Sequence, residues 1–120
     1  MAATIDATIK GENANSYVTL TEANSYFETV PDSTTWDNKT DDQKNRSLIA
    51  ATRWIDSFVY YGDRCDDGQA LKFPRNNYQV DGVELACSKI PNNIKLWSSK
   101  TSSIIGGVFS LRYNKTKLLY

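Results

Sequence analysis

Apolar residues recur at helical spacing in three stretches of the chain. The first stretch begins after Thr19, and Glu22 follows three residues later, which is the spacing of a capping box. The apolar positions of this stretch are Ala23, Tyr26 and Phe27. The pattern predicts a helix over about 20–29, which Pro31 brings to an end.

The second stretch carries the longest apolar stripe in the chain. A second capping box, formed by Thr40 and Gln43, precedes it. Its apolar positions are Leu48, Ala51, Ile55, Phe58 and Val59. This spacing predicts an amphipathic helix from about residue 41 to Tyr61, closed by Gly62.

The segment between these two helices, residues 31–40, has the composition of a loop. It contains Trp36, which we expect to plug the loop against the core. The alternative is that this tryptophan is an exposed anchor for a partner.

Residues 62–90 show no sustained period, and a connection of this length is often functional. The Asp81-Gly82 step within it predicts a short β-hairpin. Pro91 opens a third predicted helix. Helical spacing in this segment is followed by Ile94, Trp97, Thr101 and Ile104.

The two ends of the chain are predicted to be extensions. Residues 1–16 alternate apolar and polar side chains in part, which favours either a short strand or a loose arm. Beyond Gly106 and Gly107, residues 106–120 predict a strand or hairpin turning at Asn114-Lys115. The predicted fold class is therefore mainly α. It is a small helical bundle (17–105) with a long loop, an extended N-terminal arm (1–16) and a C-terminal β-hairpin (106–120).

The charge of the chain is balanced. Its 120 residues include 14 basic and 14 acidic side chains. Proteins that grip phosphates usually carry a basic excess, so neutrality favours protein partners over free-standing nucleic-acid binding. No apolar run approaches the roughly 20 residues of a membrane span, and the first ten residues lack the pattern of a signal peptide. We therefore expect a protein made in a cytoplasm, with no membrane partner.

Two cysteines, Cys65 and Cys87, are the only ones in the chain. A zinc site requires four ligands, which this pair does not supply. A disulfide between them is one alternative. The other, which a cytoplasmic protein favours, is a pair of reduced thiols.

Groups that carry out catalysis are scarce. The sequence contains no histidine, which excludes a Ser-His-Asp or Cys-His site, and it contains no glycine-rich phosphate loop. The acids Asp63, Asp66 and Asp67 crowd one loop but lack the ligand spacing of a calcium loop. The sequence therefore predicts no enzyme activity, no cofactor and no metal.

Aromatic and basic residues interleave in the segments LKFPRNNY and LRYNKTKLLY. Base stacking combined with phosphate contact uses such residues on single strands. The candidate interface residues are Lys72, Phe73, Arg75, Tyr78, Arg112 and Tyr113. The alternative is that Phe73 and Tyr78 are packing residues and Arg75 is a hydrogen-bond donor that fixes its loop.

Five segments in a fixed order resemble a family of tailed-phage proteins. They are ANSYVTLTEANSYF, WDNKTDDQKNRSLIAATRWID, GQALKFPR, DG and IPNNIK, within residues 14–95. Chains of this family are labelled DnaT-like single-stranded-DNA-binding proteins, and related chains are assigned to head-to-tail connector, adaptor or head-completion proteins. The chain departs from the family after IPNNIK, where the last helix is cut short.

The resemblance implies a small helical domain that assembles as a homo-oligomeric ring between the portal protein and the tail or another neck protein. Genomic DNA would pass through the lumen of the ring without sequence specificity. The protein would then be found in the virion neck, and in the host cytoplasm during assembly. We take this connector role as the main hypothesis, and a DnaT-like single-stranded-DNA-binding accessory protein of phage replication as the alternative.

Overall fold

Two of the helices begin at the capping boxes that the sequence predicts. A computed structural model of the protein describes residues 3–77, 79–80, 82–84 and 87–103. Helix α1 spans Leu20–Phe27, and helix α3 spans Asp41–Ile55. Both predicted capping boxes are confirmed at the N-termini of these helices. A four-residue helix, α2 (Thr34–Asp37), lies in the stretch that was predicted to be a loop.

Helix α3 ends six residues before the predicted end at Tyr61, so that prediction was wrong. Ile55 is its last residue, and the next two side chains favour a stop. The Ser57 hydroxyl donates to the carbonyl oxygen of Trp54 at 2.6 Å, which satisfies one carbonyl of the last turn. The Asp56 carboxylate bonds to other segments. Gly62 has φ +80° and belongs to a later turn rather than to the helix end.

Residues 63–84 form two short antiparallel ribbons. Strand β1 (Asp63–Arg64) pairs with β2 (Arg75–Asn76), with Asp63 opposite Asn76. Strand β3 (Gln79–Val80) pairs with β4 (Val83–Glu84) across Gly82, whose φ is +79°. The hairpin predicted at Asp81-Gly82 is therefore confirmed.

The last described helix, α4 (Asn92–Ser102), packs mainly against α3. Pro91 is its N-cap rather than its first helical residue. Lys39, just before α3, donates to the carbonyl oxygen of Ser102 at 3.1 Å. At the other end of α3, the ring of Trp54 lies 5.5 Å from that of Trp97. The two helices therefore run antiparallel.

Two hydrophobic clusters form the core. The first comprises Tyr17, Ile55, Phe58, Tyr60, Phe73, Ile90 and Ile94. The second comprises Val18, Ala23, Phe27, Trp36 and Leu48. Trp36 is 1% exposed, stacks on Phe27 and donates from Nε1 to Asn24 Oδ1 at 3.0 Å. The prediction that Trp36 plugs the core is confirmed, and the exposed-anchor alternative is wrong.

The described part of the N-terminal segment, residues 3–16, contains no strand and is tied to the domain by side chains. The backbone amide of Ala3 donates to Asp42 Oδ1 at 2.6 Å, and Asn45 Nδ2 donates to the carbonyl oxygen of Ala3 at 3.0 Å. The predicted C-terminal hairpin (106–120) lies outside the described residues. Among those that are described, helices are the main regular elements.

Cys65 and Cys87 form a disulfide, with their Cα atoms 5.9 Å apart. The expectation of two reduced thiols was wrong for this structure. The physical reason is the folding of the long connection. Pairing of β1 with β2 and reversal of the chain at β3–β4 bring two positions 22 residues apart in sequence side by side.

Candidate nucleic-acid interface

The GQALKFPR loop (residues 68–75) is anchored in the core by its phenylalanine. Phe73 is 1% exposed, and the peptide bond between it and Pro74 is cis. Its ring lies edge-on to two tyrosines, with centroid distances of 6.0 Å to Tyr17 and 4.8 Å to Tyr60. Phe73 is therefore a packing residue of the first cluster and does not present its ring to a ligand.

The buried Tyr17 and the half-buried Asp56 form a polar pair that accepts hydrogen bonds from the backbone of this loop. The Tyr17 hydroxyl donates to Asp56 Oδ1 and accepts from the amide of Phe73 at 3.2 Å. The other oxygen of the Asp56 carboxylate accepts from the amide of Lys72 at 3.2 Å. The loop is thus joined to the residue that caps α3 and to the segment before α1.

Burial dominates the electrostatics of this pair. It raises the pKa of the Asp56 carboxyl above its ordinary value, although hydrogen bonds from Tyr17 and Lys72 act in the opposite direction. Burial, together with the neighbouring Asp56 charge, raises the pKa of the Tyr17 hydroxyl, which therefore remains a donor at neutral pH.

Lys72 and Arg75 point their charged groups at the chain that follows α3. Lys72 Nζ donates to the carbonyl oxygen of Phe58 at 2.6 Å. Arg75 donates from Nε to the carbonyl of Tyr61 at 2.8 Å and from Nη2 to that of Gly62 at 2.6 Å. Its Nη1 donates within the loop, to the carbonyl of Lys72 at 3.0 Å. These contacts hold the backbone of 58–62 and match the loop-fixing alternative for Arg75.

The segment held in this way exposes two large side chains, Val59 at 78% and Tyr61 at 77%. The turn after them requires glycine, because Gly62 has φ +80° and a Cβ there would lie 2.1 Å from the carbonyl oxygen of Asn76. Arg64, two residues further on, is also exposed and donates from Nε to the carbonyl of Leu71 at 3.3 Å. We call Val59, Tyr61 and Arg64 the aromatic platform. Its members lie within six residues of the chain, Arg75 holds the backbone of Tyr61 and Gly62, and the positive charge of Arg64 acts on the Asp56 carboxyl.

The charge around the aromatic platform is mixed. Asp63, Asp66 and Asp67 are exposed in the same stretch of chain as Arg64. Asp66 is partly engaged, since its Oδ1 accepts from the amide of Gly68 at 2.9 Å. Groups of three or more candidate metal ligands do not occur in the part of the chain that the structure describes.

A second surface feature is a groove of about 460 Å³ between α1 and α4. Its walls include Tyr26 and the exposed Leu96. At the groove Lys95 Nζ pairs with Glu22 Oε2 at 2.7 Å, and this bond lowers the pKa of the Glu22 carboxyl against the effect of burial. Because its lysine is already matched by a carboxylate, the groove is a weaker candidate for phosphate contact than the platform.

Three of the six predicted interface residues can be placed. Lys72 and Arg75 hold the backbone of 58–62, and Phe73 packs against Tyr60 in the core. Tyr78, Arg112 and Tyr113 lie outside the described residues. Val59 and Tyr61 were not predicted as surface residues, because the apolar stripe placed both in a longer α3. The sequence carries no signal that separates them from the helix, because Phe58 and Val59 continue the apolar stripe and Gly62 fits the end of a longer helix equally well. No described helix is long and apolar enough to cross a membrane.

Comparison with known proteins identifies a family. The model of the family described as "Putative DnaT-like ssDNA binding protein" matches residues 1–97. The match covers most of the chain, which therefore belongs to this family. No curated protein and no solved structure gives a significant match.

Proposed function

We propose that this member of the DnaT-like family binds single-stranded DNA without sequence specificity, and that Tyr61 of the aromatic platform stacks on a base. The observation that carries the proposal is a tyrosine ring, 77% exposed, on a backbone fixed by Arg75 and Gly62. The family description names this class of ligand. The role is binding, with no catalytic step.

Stacking suits a ligand of variable sequence because every base offers an aromatic face. A base stacked on an aromatic side chain is worth roughly 1–3 kcal/mol. A fixed backbone reduces the entropy that Tyr61 loses on binding. Val59 would cover the edge of the stacked base, and Arg64 would contact the adjoining phosphate.

Residues 104–120 supply the basic excess that the rest of the chain lacks. This segment contains Arg112, Lys115 and Lys117 and no acidic residue. Phosphate neutralisation by such side chains drives sequence-independent binding through counterion release. Arg112 and Tyr113 accordingly remain predicted DNA contacts, whereas Lys72 and Arg75 act by holding the platform.

The experiment is a titration of fluorescein-labelled oligothymidylate with the full chain, followed by anisotropy. Tyr61→Ala is expected to weaken binding by about tenfold or more, as the loss of one stacked base requires. Leu96→Ala, an exposed apolar residue of α4, is the matched control and should leave affinity unchanged. Equal affinity of the wild type and Tyr61→Ala would exclude the platform.

A charge variant separates stacking from phosphate contact. Arg64→Gln should weaken binding and flatten its salt dependence. Arg46→Gln, which removes an exposed arginine near the start of α3, should do neither. If both arginine variants behave alike, the contact assigned to Arg64 is wrong.

The second candidate is the connector subunit. The observation that favours it is charge: the chain is neutral, and Lys72 and Arg75 are bound to backbone carbonyls. This candidate comprises a homo-oligomeric ring with the portal protein and a tail or neck protein as partners, DNA in its lumen, and a place in the virion. Quantitative mass spectrometry of tailed virions distinguishes the two. A copy number near that of the portal supports the connector, and absence from virions excludes it.

A further inference from the structure

The two cysteines of the disulfide are held in very different ways. The backbone of Cys65 is fixed without any help from its sulfur. Its amide donates to the carbonyl oxygen of Pro74 at 3.2 Å, directly after the β1–β2 pairing. Gln69 reinforces this position, since its Nε2 donates to the same carbonyl at 3.0 Å while its Oε1 accepts from the amide of Asp66 at 3.0 Å.

Among the described residues, the segment of Cys87 has fewer bonds: Cys87 Sγ lies 3.1 Å from Asn76 Oδ1, and no backbone hydrogen bond joins 87–89 to another described residue. Cys87 follows the β3–β4 hairpin, whose strands are two residues long and whose described side chains at Gln79, Val83 and Glu84 are exposed. Beyond the β3–β4 pairing itself, the described residues of 79–84 form no hydrogen bond with the rest of the described chain. An isolated two-stranded hairpin is marginal in water, so its stability here depends on its tethers.

We propose that Cys65 and Cys87 form a thiol–disulfide switch that fixes the β3–β4 hairpin when oxidised and releases it when reduced. Both cysteines are half-buried, which leaves the bond accessible to a small thiol. Because the Cys65 side is held independently, reduction frees the hairpin while β1, β2 and the helices stay in place. The switch does not depend on the proposed DNA binding.

The chemistry is exchange with a low-molecular-weight thiol. A thiolate attacks one sulfur of the pair and forms a mixed disulfide, and the other cysteine leaves as a thiolate. A second small thiolate then attacks the small-molecule sulfur of the mixed disulfide and expels the remaining cysteine as a thiolate, so the two small thiols lose two electrons and become one disulfide. The two cysteine thiolates each take up a proton. A small disulfide such as oxidised glutathione reverses the reaction.

The charges around Cys65 distinguish between reductants. Asp63, Asp66 and Asp67 are exposed near Cys65, with Arg64 as the neighbouring cation. Like charges repel an anionic thiol at low ionic strength. At equal thiolate concentration, the singly charged thiolate of 2-mercaptoethanol is expected to react faster than the more negatively charged thiolate of glutathione, and added salt should narrow the difference.

The test is hydrogen exchange with mass spectrometry on the full chain, oxidised and after treatment with dithiothreitol. On reduction, amides in 79–84 should exchange at least about tenfold faster and approach the rate of an unfolded peptide, while those of α1 and α3 stay protected at the level that the global stability of the reduced protein sets. Alkylation counts the thiols: two should be free after treatment and none before. Unchanged exchange in 79–84 with two free thiols would overturn the proposal, and so would loss of protection in α1 and α3 to the rate of an unfolded peptide.

A variant without the disulfide provides an independent reference. Cys65→Ser combined with Cys87→Ser should reproduce the exchange pattern of the reduced wild type and should not respond to dithiothreitol. A variant whose hairpin exchanges as slowly as in the oxidised wild type would contradict the switch. If this variant does not fold, the comparison of oxidised and reduced wild type decides the matter.

Discussion

Arg75 Nη2 lies 2.6 Å from the carbonyl oxygen of Gly62, to which it donates a hydrogen bond. This bond joins the end of the GQALKFPR loop to the turn that follows the exposed Tyr61. Gly62 has φ +80° and no room for a side chain against Asn76. The loop and the turn are therefore fitted to each other, and the aromatic platform depends on both.

Arg75→Lys should destabilise the protein although it keeps the charge. A lysine cannot reproduce the fork of donors that reaches the carbonyls of Lys72, Tyr61 and Gly62. We expect the free energy of unfolding to fall by about 2 kcal/mol, measured by urea titration followed by circular dichroism. Arg46→Lys, at an exposed i,i+4 pair, should change it by less than about 0.5 kcal/mol. An Arg75→Lys curve that superimposes on the wild type would contradict this role.

Asp56 should give the stability a pH dependence opposite to that of ordinary acid denaturation. Burial raises its pKa in the folded protein above the ordinary 3.8, so the folded state binds this proton more tightly than the unfolded state. Its contribution is present below pH 3.8 and is lost as the pH rises through the folded-state pKa.

Asp56→Asn is the variant that isolates this contribution. As the pH rises above 3.8, the unfolding free energy of the wild type should fall relative to that of Asp56→Asn. The pKa values of the Asp6, Glu22 and Asp42 carboxyls are lowered, so their contributions to stability change with pH in the opposite direction. These contributions are common to both proteins and cancel in the difference. A difference that is constant with pH would show that Asp56 does not titrate in this way.

The Cys65–Cys87 disulfide should stabilise the whole fold as well as the hairpin. It closes a loop with a sequence separation of 22 residues, which reduces the entropy of the unfolded chain. Reduction is expected to lower the free energy of unfolding by about 3 kcal/mol. Urea titration with and without dithiothreitol measures the effect. The Cys65→Ser and Cys87→Ser double variant is the control, and it should be insensitive to the reductant. Equal stability of oxidised and reduced wild type would refute this expectation.

Thr40→Ala should weaken the start of α3. The Thr40 hydroxyl accepts from the amide of Gln43 at 3.2 Å, and the Gln43 side chain accepts from the amide of Thr40 at 2.9 Å. Loss of this cap should cost about 1 kcal/mol of unfolding free energy, seen as a lower melting temperature. Thr35→Ala, an exposed threonine of α2, is the matched control. A melting temperature unaffected by Thr40→Ala would show that the cap is dispensable.

The features that the sequence predicted are those governed by neighbouring residues. The capping boxes at Thr19 and Thr40 and the turn at Gly82 each depend on interactions within a few residues. The apolar stripe likewise placed Leu48 and Ile55 in the core. These features could be predicted from the sequence because interactions between neighbouring residues favour the same conformation as the complete fold does.

The features that the sequence did not predict depend on contacts between distant residues. The end of α3 is set by Asp56, whose carboxylate is engaged by Tyr17 and Lys72 from elsewhere in the chain. Val59 continues the helical stripe in sequence but lies outside the helix, and it is therefore exposed. The disulfide likewise depends on two ribbons that bring Cys65 to Cys87. None of these pairings has a periodic signal in the sequence.

The measurement that tests the central proposal most directly is the affinity of the wild-type chain for oligothymidylate across a series of salt concentrations. The account predicts saturable binding whose logarithmic association constant falls linearly with the logarithm of salt, as counterion release requires. It also predicts that Tyr61→Ala lowers affinity at every salt concentration without changing the slope. No saturable binding at low salt would contradict the account and leave the connector subunit as the remaining candidate.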